Sequence, residues 1–282
     1  MEIKCIAVLG AGTMGHGIAH AAATAGYETR LYDVSSAATE KGRVAVQQIL
    51  KKGVELGKAT AADADAAFGR LTATADLAAA LSGTDFVIEA APERIDLKLA
   101  LFADIERFTP AAAVITSNTS ALSLTEMAGS LQNPSRVAGM HFFNPVHRMK
   151  LVEIVRALES SAATLEAVEA VARRMGKETV LVRESPGFIT TRVNASIGNE
   201  AFYMLMEGVA SARDIDKALK LGLNHPMGPF ELVDLVGLDT RLSILEYLHR
   251  SLGEKYRPCS LLAQYVKAGR LGKKVGRGVY EY

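Results

Sequence analysis

The sequence predicts an α/β protein: a mostly parallel sheet over residues 1–184, followed by an all-helical region over residues 185–282. Three observations carry this reading. An apolar run near the start of the chain ends in a glycine-rich turn and a helix of small residues. Strand-like and helix-like stretches then alternate. After Ser185-Pro186-Gly187 the periodicity is helical throughout.

Residues 3–9 form an apolar run interrupted only by Lys4, the pattern of a parallel strand covered on both faces. It leads directly into Gly10-Ala11-Gly12-Thr13-Met14-Gly15 and a helical stretch over residues 16–25. Strand, G-x-G-x-x-G turn and helix in this order are the Rossmann-type dinucleotide fingerprint. Gly10 permits the tight turn, Gly12 lets backbone N–H groups approach a pyrophosphate, and Gly15 lets helix and strand pack closely. Gly26 ends the helix, and a second strand over residues 27–32 delivers Asp33, where an acid binds the adenosine ribose and repels a 2′-phosphate. NAD is therefore favoured over NADP.

Residues 35–57 read as a long helix with an apolar stripe through Val44, Ile49 and Leu50. Lys51, Lys52 and Lys58 make a solvated face, or meet phosphates if the substrate carries them. Residues 59–81 read as a polar, Ala/Asp-rich connection. A buried strand (85–89) and a helix (93–108) follow, with Glu93 in its first turn and Lys98 further along. The next strand, 114–117, ends in Ser117-Asn118-Thr119-Ser120, at the end of a parallel strand where open α/β sheets bind ligands. Ser123 can cap the helix beginning near Leu124, which leaves Ser120 available.

Residues 136–143 read as a strand that delivers His141 and is stopped by Asn144-Pro145. In the short strand 151–155, Glu153 is the only acid in an apolar run. A carboxylate buried there needs a partner, and His141, twelve positions earlier across a turn, is the natural one. An imidazole held by a carboxylate is a tautomer-fixed general base; the bland alternative is a core histidine and a solvated glutamate. A helix (164–175) closed by Gly176 and a last strand (178–182) complete the first region. Helices then follow at 188–208, 213–221, 229–236, 238–251 and 260–267.

At 282 residues the chain exceeds one typical domain, and its 49% hydrophobic and 22% charged residues suit a globular core. Thirty-two basic against thirty-one acidic residues give a net charge of +1, with nothing to suggest a nucleic-acid or membrane surface. The two cysteines, Cys5 and Cys259, make no disulfide framework, and no leader precedes the first strand. A cytoplasmic protein without a metal site is expected.

The motifs taken together resemble the 3-hydroxyacyl-CoA dehydrogenases, including the bacterial 3-hydroxybutyryl-CoA enzymes, over essentially the whole chain. Besides the glycine turn they are Ser117-Asn118-Thr119-Ser120, His141-Phe142-Phe143-Asn144-Pro145, Leu151-Val152-Glu153, Pro186-Gly187-Phe188-Ile189, His225-Pro226-Met227-Gly228-Pro229-Phe230 and Gly276-Arg277-Gly278-Val279-Tyr280. The resemblance implies reversible NAD-dependent oxidation of an (S)-3-hydroxyacyl-CoA within fatty acid β-oxidation chemistry. It also implies an acyl-CoA substrate and a homodimer joined through the helical C-terminal domain. Position by position, it implies His141 as base, Glu153 as its orienting partner, and Ser120 in contact with substrate hydroxyl and nicotinamide. Asn144 lies near the nicotinamide, and Glu93, Lys98, Lys274 and Asp33 are cofactor contacts. Where the family places an asparagine that binds the substrate carbonyl, this chain has Thr191, so Thr191 or Asn194, one helical turn on, takes that role; Lys52 is the candidate for the acyl-CoA side. The rival expectations are a dehydrogenase of a free 3-hydroxy or sugar acid, and a non-catalytic NAD-sensing protein.

Overall fold

A computed structural model describes residues 2–282. The chain divides into two compact units, the first ending at Glu184 and the second running Ser185–Tyr282.

The first unit is one eight-stranded sheet in the order β3-β2-β1-β4-β5-β6-β7-β8. Its strands are β1 (Cys5–Leu9), β2 (Glu28–Tyr32), β3 (Leu71–Thr74), β4 (Phe86–Glu89), β5 (Val114–Ser117), β6 (Val137–Phe142), β7 (Leu151–Arg156) and β8 (Glu178–Arg183). All neighbours are parallel except β6 and β7. β1, β4, β5 and β6 are buried along their whole length, which explains their mostly apolar composition; the polar residues Glu89, Ser117 and His141 lie at or near their carboxyl ends. Strand order reverses between β1 and β4, which opens a crevice at their carboxyl ends.

The helices of this unit are α1 (Thr13–Thr24), α2 (Ser36–Glu55), α3 (Ala61–Gly69), α4 (Leu77–Leu81), α5 (Ile95–Phe108), α6 (Leu124–Gly129) and α7 (Ala162–Arg174). Ser123 caps α6 as expected, its side chain accepting from the Glu126 amide. Two local expectations are corrected. Residues 59–81 are not a plain connection, because they hold α3, edge strand β3 and α4. Thr60 starts α3 with a reciprocal capping box to Asp63, and β3 is short with only Leu71 buried. Glu93 is not in the first turn of α5, because the helix begins at Ile95 after an extended Arg94.

The second unit comprises α8 (Thr190–Met206), α9 (Ala212–Gly222), α10 (Pro229–Val236), α11 (Leu238–Leu252) and α12 (Ser260–Lys267). Phe202, Phe230, Leu245, Leu248 and Leu262 form its core, with Phe202 and Phe230 edge to face at 5.2 Å. Asp234, buried on α10, accepts from the backbone amides of Val279 and Tyr280 and so ties down the final segment. Asp216 does the same for the start of α10 by accepting from the Phe230 and Glu231 amides.

Candidate active site

The glycine turn joins β1 to α1 at the crevice, and each glycine has its own reason. Gly10 has φ +106°, and a Cβ there would lie 2.6 Å from the Ala90 carbonyl oxygen. A Cβ on Gly15 would lie 1.6 Å from the Gly10 carbonyl oxygen, so helix and turn meet only because it is absent. At Gly12, which caps α1, a Cβ would meet nothing within 4 Å. That side of the turn is open to a ligand, over a helix N-terminus that favours negative charge. Asp33 follows β2, and its carboxylate accepts from the amides of Ala11 (2.9 Å) and Ser35 (3.3 Å). The acid is thus fixed beside the turn, where a dinucleotide ribose would be held. This cradle fits NAD.

β4 and β5 end next to this turn, and their last residues hold a buried polar network. Glu89, the final residue of β4, accepts from Lys98 Nζ at 2.6 Å, from the Ala91 amide at 2.6 Å and from the Ser117 hydroxyl. Lys98 is only 1% exposed; its Nζ also donates to the Ala91 carbonyl and lies 3.5 Å from Glu93 Oε2. Glu93 in turn accepts from the Thr119 hydroxyl (2.6 Å) and the Ser120 amide (2.9 Å). The sequence named Glu93, Lys98 and Ser120 separately and Ser117 only as part of the strand-end motif, but missed Glu89, which ties them together. The signal was present: like Glu153, Glu89 is an acid in a buried apolar run.

On β6 and β7, His141 faces Glu153 directly across the antiparallel pair. Both are buried, and Nδ1 lies 2.7 Å from Oε2. A carboxylate only accepts, so Nδ1 carries the proton and Nε2 is the basic nitrogen. The bland alternative of a solvated glutamate is excluded by this burial. Asn118 accepts from the Phe142 amide at 2.8 Å, which locks the Ser120 loop to the end of β6. Asn144 is exposed and precedes Pro145 through a cis peptide bond.

Lys52 on α2 pairs with Glu55 at 3.0 Å and lines a cavity of about 430 Å³ together with His16, His20, Lys58, His147 and Arg148. Burial and the neighbouring His147 and Lys177 charges push His20 down to about 4. In the second unit, Thr191 and Asn194 lie in the first turns of α8, both partly buried, and Lys274 pairs with Asp239 at 2.6 Å. Among the described residues no group of three or more His, Cys, Asp or Glu is arranged to hold a metal ion. Nor is any helix there long and apolar enough to cross a membrane.

Comparison with known proteins adds an independent line. Residues 5–185 match the family model "3-hydroxyacyl-CoA dehydrogenase, NAD binding domain", and residues 187–282 match "3-hydroxyacyl-CoA dehydrogenase, C-terminal domain". The chain is 48% identical to the "Probable 3-hydroxybutyryl-CoA dehydrogenase" of Bacillus subtilis (strain 168), covering 100% of this chain and 98% of that one. It is 42% identical to the 3-hydroxybutyryl-CoA dehydrogenase of Bradyrhizobium diazoefficiens, over 99% and 96% of the two chains. The crystal structure of (S)-3-hydroxybutyryl-CoA dehydrogenase from Ralstonia eutropha superposes with a TM-score of 0.96 at 43% identity, covering 100% and 99%.

Proposed function

Since the chain belongs to the 3-hydroxyacyl-CoA dehydrogenase family, we propose that it interconverts a short-chain (S)-3-hydroxyacyl-CoA, 3-hydroxybutyryl-CoA first, and the 3-oxoacyl-CoA. The observation that carries this reading is the buried His141–Glu153 pair, on the same sheet as a glycine cradle fit for NAD.

The cofactor, when bound, supplies the hydride acceptor at its nicotinamide. Gly10, Gly12 and Gly15 shape its phosphate site and Asp33 holds its ribose; Glu93, Ser120, Asn144 and Lys274 are assigned to its other contacts, whereas Lys98, being buried, acts through Glu93 and does not touch the cofactor itself. Ser120 donates to or accepts from the substrate 3-hydroxyl and so orients it. His141 Nε2 takes the hydroxyl proton, and Glu153 stabilises the imidazolium that forms and holds the ring in its productive tautomer. In the reverse direction His141 returns that proton. Thr191 and Asn194 are assigned to the substrate carbonyl. Lys52, beside a cavity rich in basic side chains, is assigned to the phosphates of the acyl-CoA.

A cytoplasmic homodimer joined through the helical unit belongs to the same reading. Leu221, Leu223, Leu235 and Val236 are exposed apolar side chains on that unit, and a second copy would cover them. The test is NADH oxidation with acetoacetyl-CoA, longer 3-oxoacyl-CoAs and free acetoacetate. Turnover confined to the CoA esters is expected. Faster turnover of the free acid would give the substrate to the rival class, and none with either would favour an NAD-sensing role.

A further inference from the structure

The ion pair beneath Ser120 is harder to explain by stability than by placement. Glu89 is fully buried and Lys98 nearly so. A buried ion pair is often no more stabilising than apolar side chains of the same shape, because desolvation cancels the attraction. What it does supply is direction, since unsatisfied charges in a low-dielectric interior tolerate little displacement.

Two hydrogen-bonded routes run from Glu89 to the Ser120 turn. In one, the Ser117 hydroxyl donates to Glu89, and Ser117 Oγ accepts from the Thr119 amide at 3.1 Å. In the other, Lys98 Nζ is held by Glu89 and faces Glu93, whose carboxylate takes the Thr119 hydroxyl and the Ser120 amide. The Thr119 hydroxyl oxygen then accepts from the amides of Ala121 and Leu122, which sets the rest of the turn. Lys98 is thus shared between two carboxylates: Glu93, which binds the Thr119 hydroxyl and Ser120 amide directly, and Glu89, which reaches the loop through Ser117.

We propose that Glu89 is a positioning residue for Ser120, acting through Lys98 and Ser117; the inference rests on the dehydrogenase reading above. Without the Glu89 charge, Lys98 has Glu93 as its one remaining acid among these groups, and Glu93 is drawn off the Thr119 hydroxyl and Ser120 amide. The Ser120 hydroxyl then wanders from the substrate while His141 and Glu153 keep their geometry.

The experiment measures three quantities on Glu89→Gln, Glu89→Asp and Ser117→Ala: turnover of acetoacetyl-CoA with NADH, the melting temperature, and hydrogen exchange at the Ser120 amide without substrate. In Glu89→Gln, kcat should fall about 10- to 100-fold, the size of a displacement near 1 Å at a reacting group. Ser120 exchange should quicken at least about tenfold, as expected for one lost charge-assisted hydrogen bond. Glu89→Asp should recover part of both. Ser117→Ala, which cuts one route and keeps the ion pair, guards against a misfolded Glu89 variant and should show a smaller loss in the same two readouts. A lower melting temperature with wild-type kcat and wild-type Ser120 exchange would mark the pair as merely structural and overturn the proposal, as would wild-type exchange in Ser117→Ala. If the wild type turns over no 3-oxoacyl-CoA at all, the dehydrogenase reading fails instead, and the exchange data still decide whether Glu89 holds the loop.

Discussion

His141 Nδ1 and Glu153 Oε2 lie 2.7 Å apart because the two residues are direct neighbours across the antiparallel pair β6–β7. The acid arrives from the middle of a strand, so its position is set by the sheet ladder and not by a loop. Replacing it by an amide keeps the shape but lets the ring adopt the wrong tautomer. Glu153→Gln should therefore lower kcat by about 10²–10⁴-fold. His141→Ala should abolish turnover, and both variants should bind NADH with nearly wild-type Kd by fluorescence titration. Wild-type rates in either would reject the general-base assignment.

The glycine turn gives a contrast between two equal substitutions. Gly15→Ala forces a methyl group against the Gly10 carbonyl, so the turn must move, with loss of stability as well as NADH binding. Gly12→Ala meets no protein atom. It should melt within a degree or two of wild type, yet bind NADH at least about tenfold more weakly because the methyl group stands where the pyrophosphate approaches. Equal binding by Gly12→Ala and wild type would remove the phosphate from this turn.

His20 links stability to acidity. Its Nδ1 is buried without a hydrogen-bond partner, and burial, then the neighbouring His147 and Lys177, lower it to about 4. The unfolded chain titrates near 6.5 and so takes up a proton that the folded chain refuses. Stability is complete above about pH 6.5 and is lost as pH falls from there towards 4, by at most about 3 kcal/mol for a shift of this size. Urea titrations at pH 7 and pH 5 should show wild type losing more stability on acidification than His20→Gln. Identical pH dependence in the two would show that native His20 takes up its proton as readily as the unfolded chain does.

Arg241 on α11 is 2% exposed, its Nε has no hydrogen-bond partner, and burial pushes the guanidinium down to about 10. Gly198 on α8 leaves the space this side chain crosses, with Nε 3.8 Å from where a Cβ would be. Arg241→Met keeps the bulk and removes the desolvated charge. It should raise stability by about 1–3 kcal/mol, which is a few degrees in melting temperature for a unit of this size. A lower melting temperature would show that the cation is satisfied in solution.

The parts of the site that could be read from the sequence were those where a polar residue interrupts an apolar run. Glu153 could be paired with His141 because a charge on a buried strand demands a partner, and a histidine stands twelve residues earlier across one turn. The glycines and Asp33 were legible because their spacing is tied to one backbone shape. Residues 59–81 were not, since alanine suits helix, loop and edge strand alike, and β3 buries too little to mark itself. Lys98 was named as a contact residue, but its burial was not legible. On a helix a lysine normally faces water, and only the end of β4, brought beside α5 by the fold, supplies the acid that lets it turn inward.

The hairpin between β6 and β7 leaves one dimension of the protein open to change and closes another. Insertions between Phe143 and Lys150 disturb Val146, which packs in the core, and the cavity residues His147 and Arg148, yet the two halves of the proton-handling unit still meet. A shift of the ladder by a single position would present Val152 or Ile154 to the imidazole and turn the acid to the opposite face. Variation in this family of shapes can therefore lengthen the connection, but it cannot slide the rails.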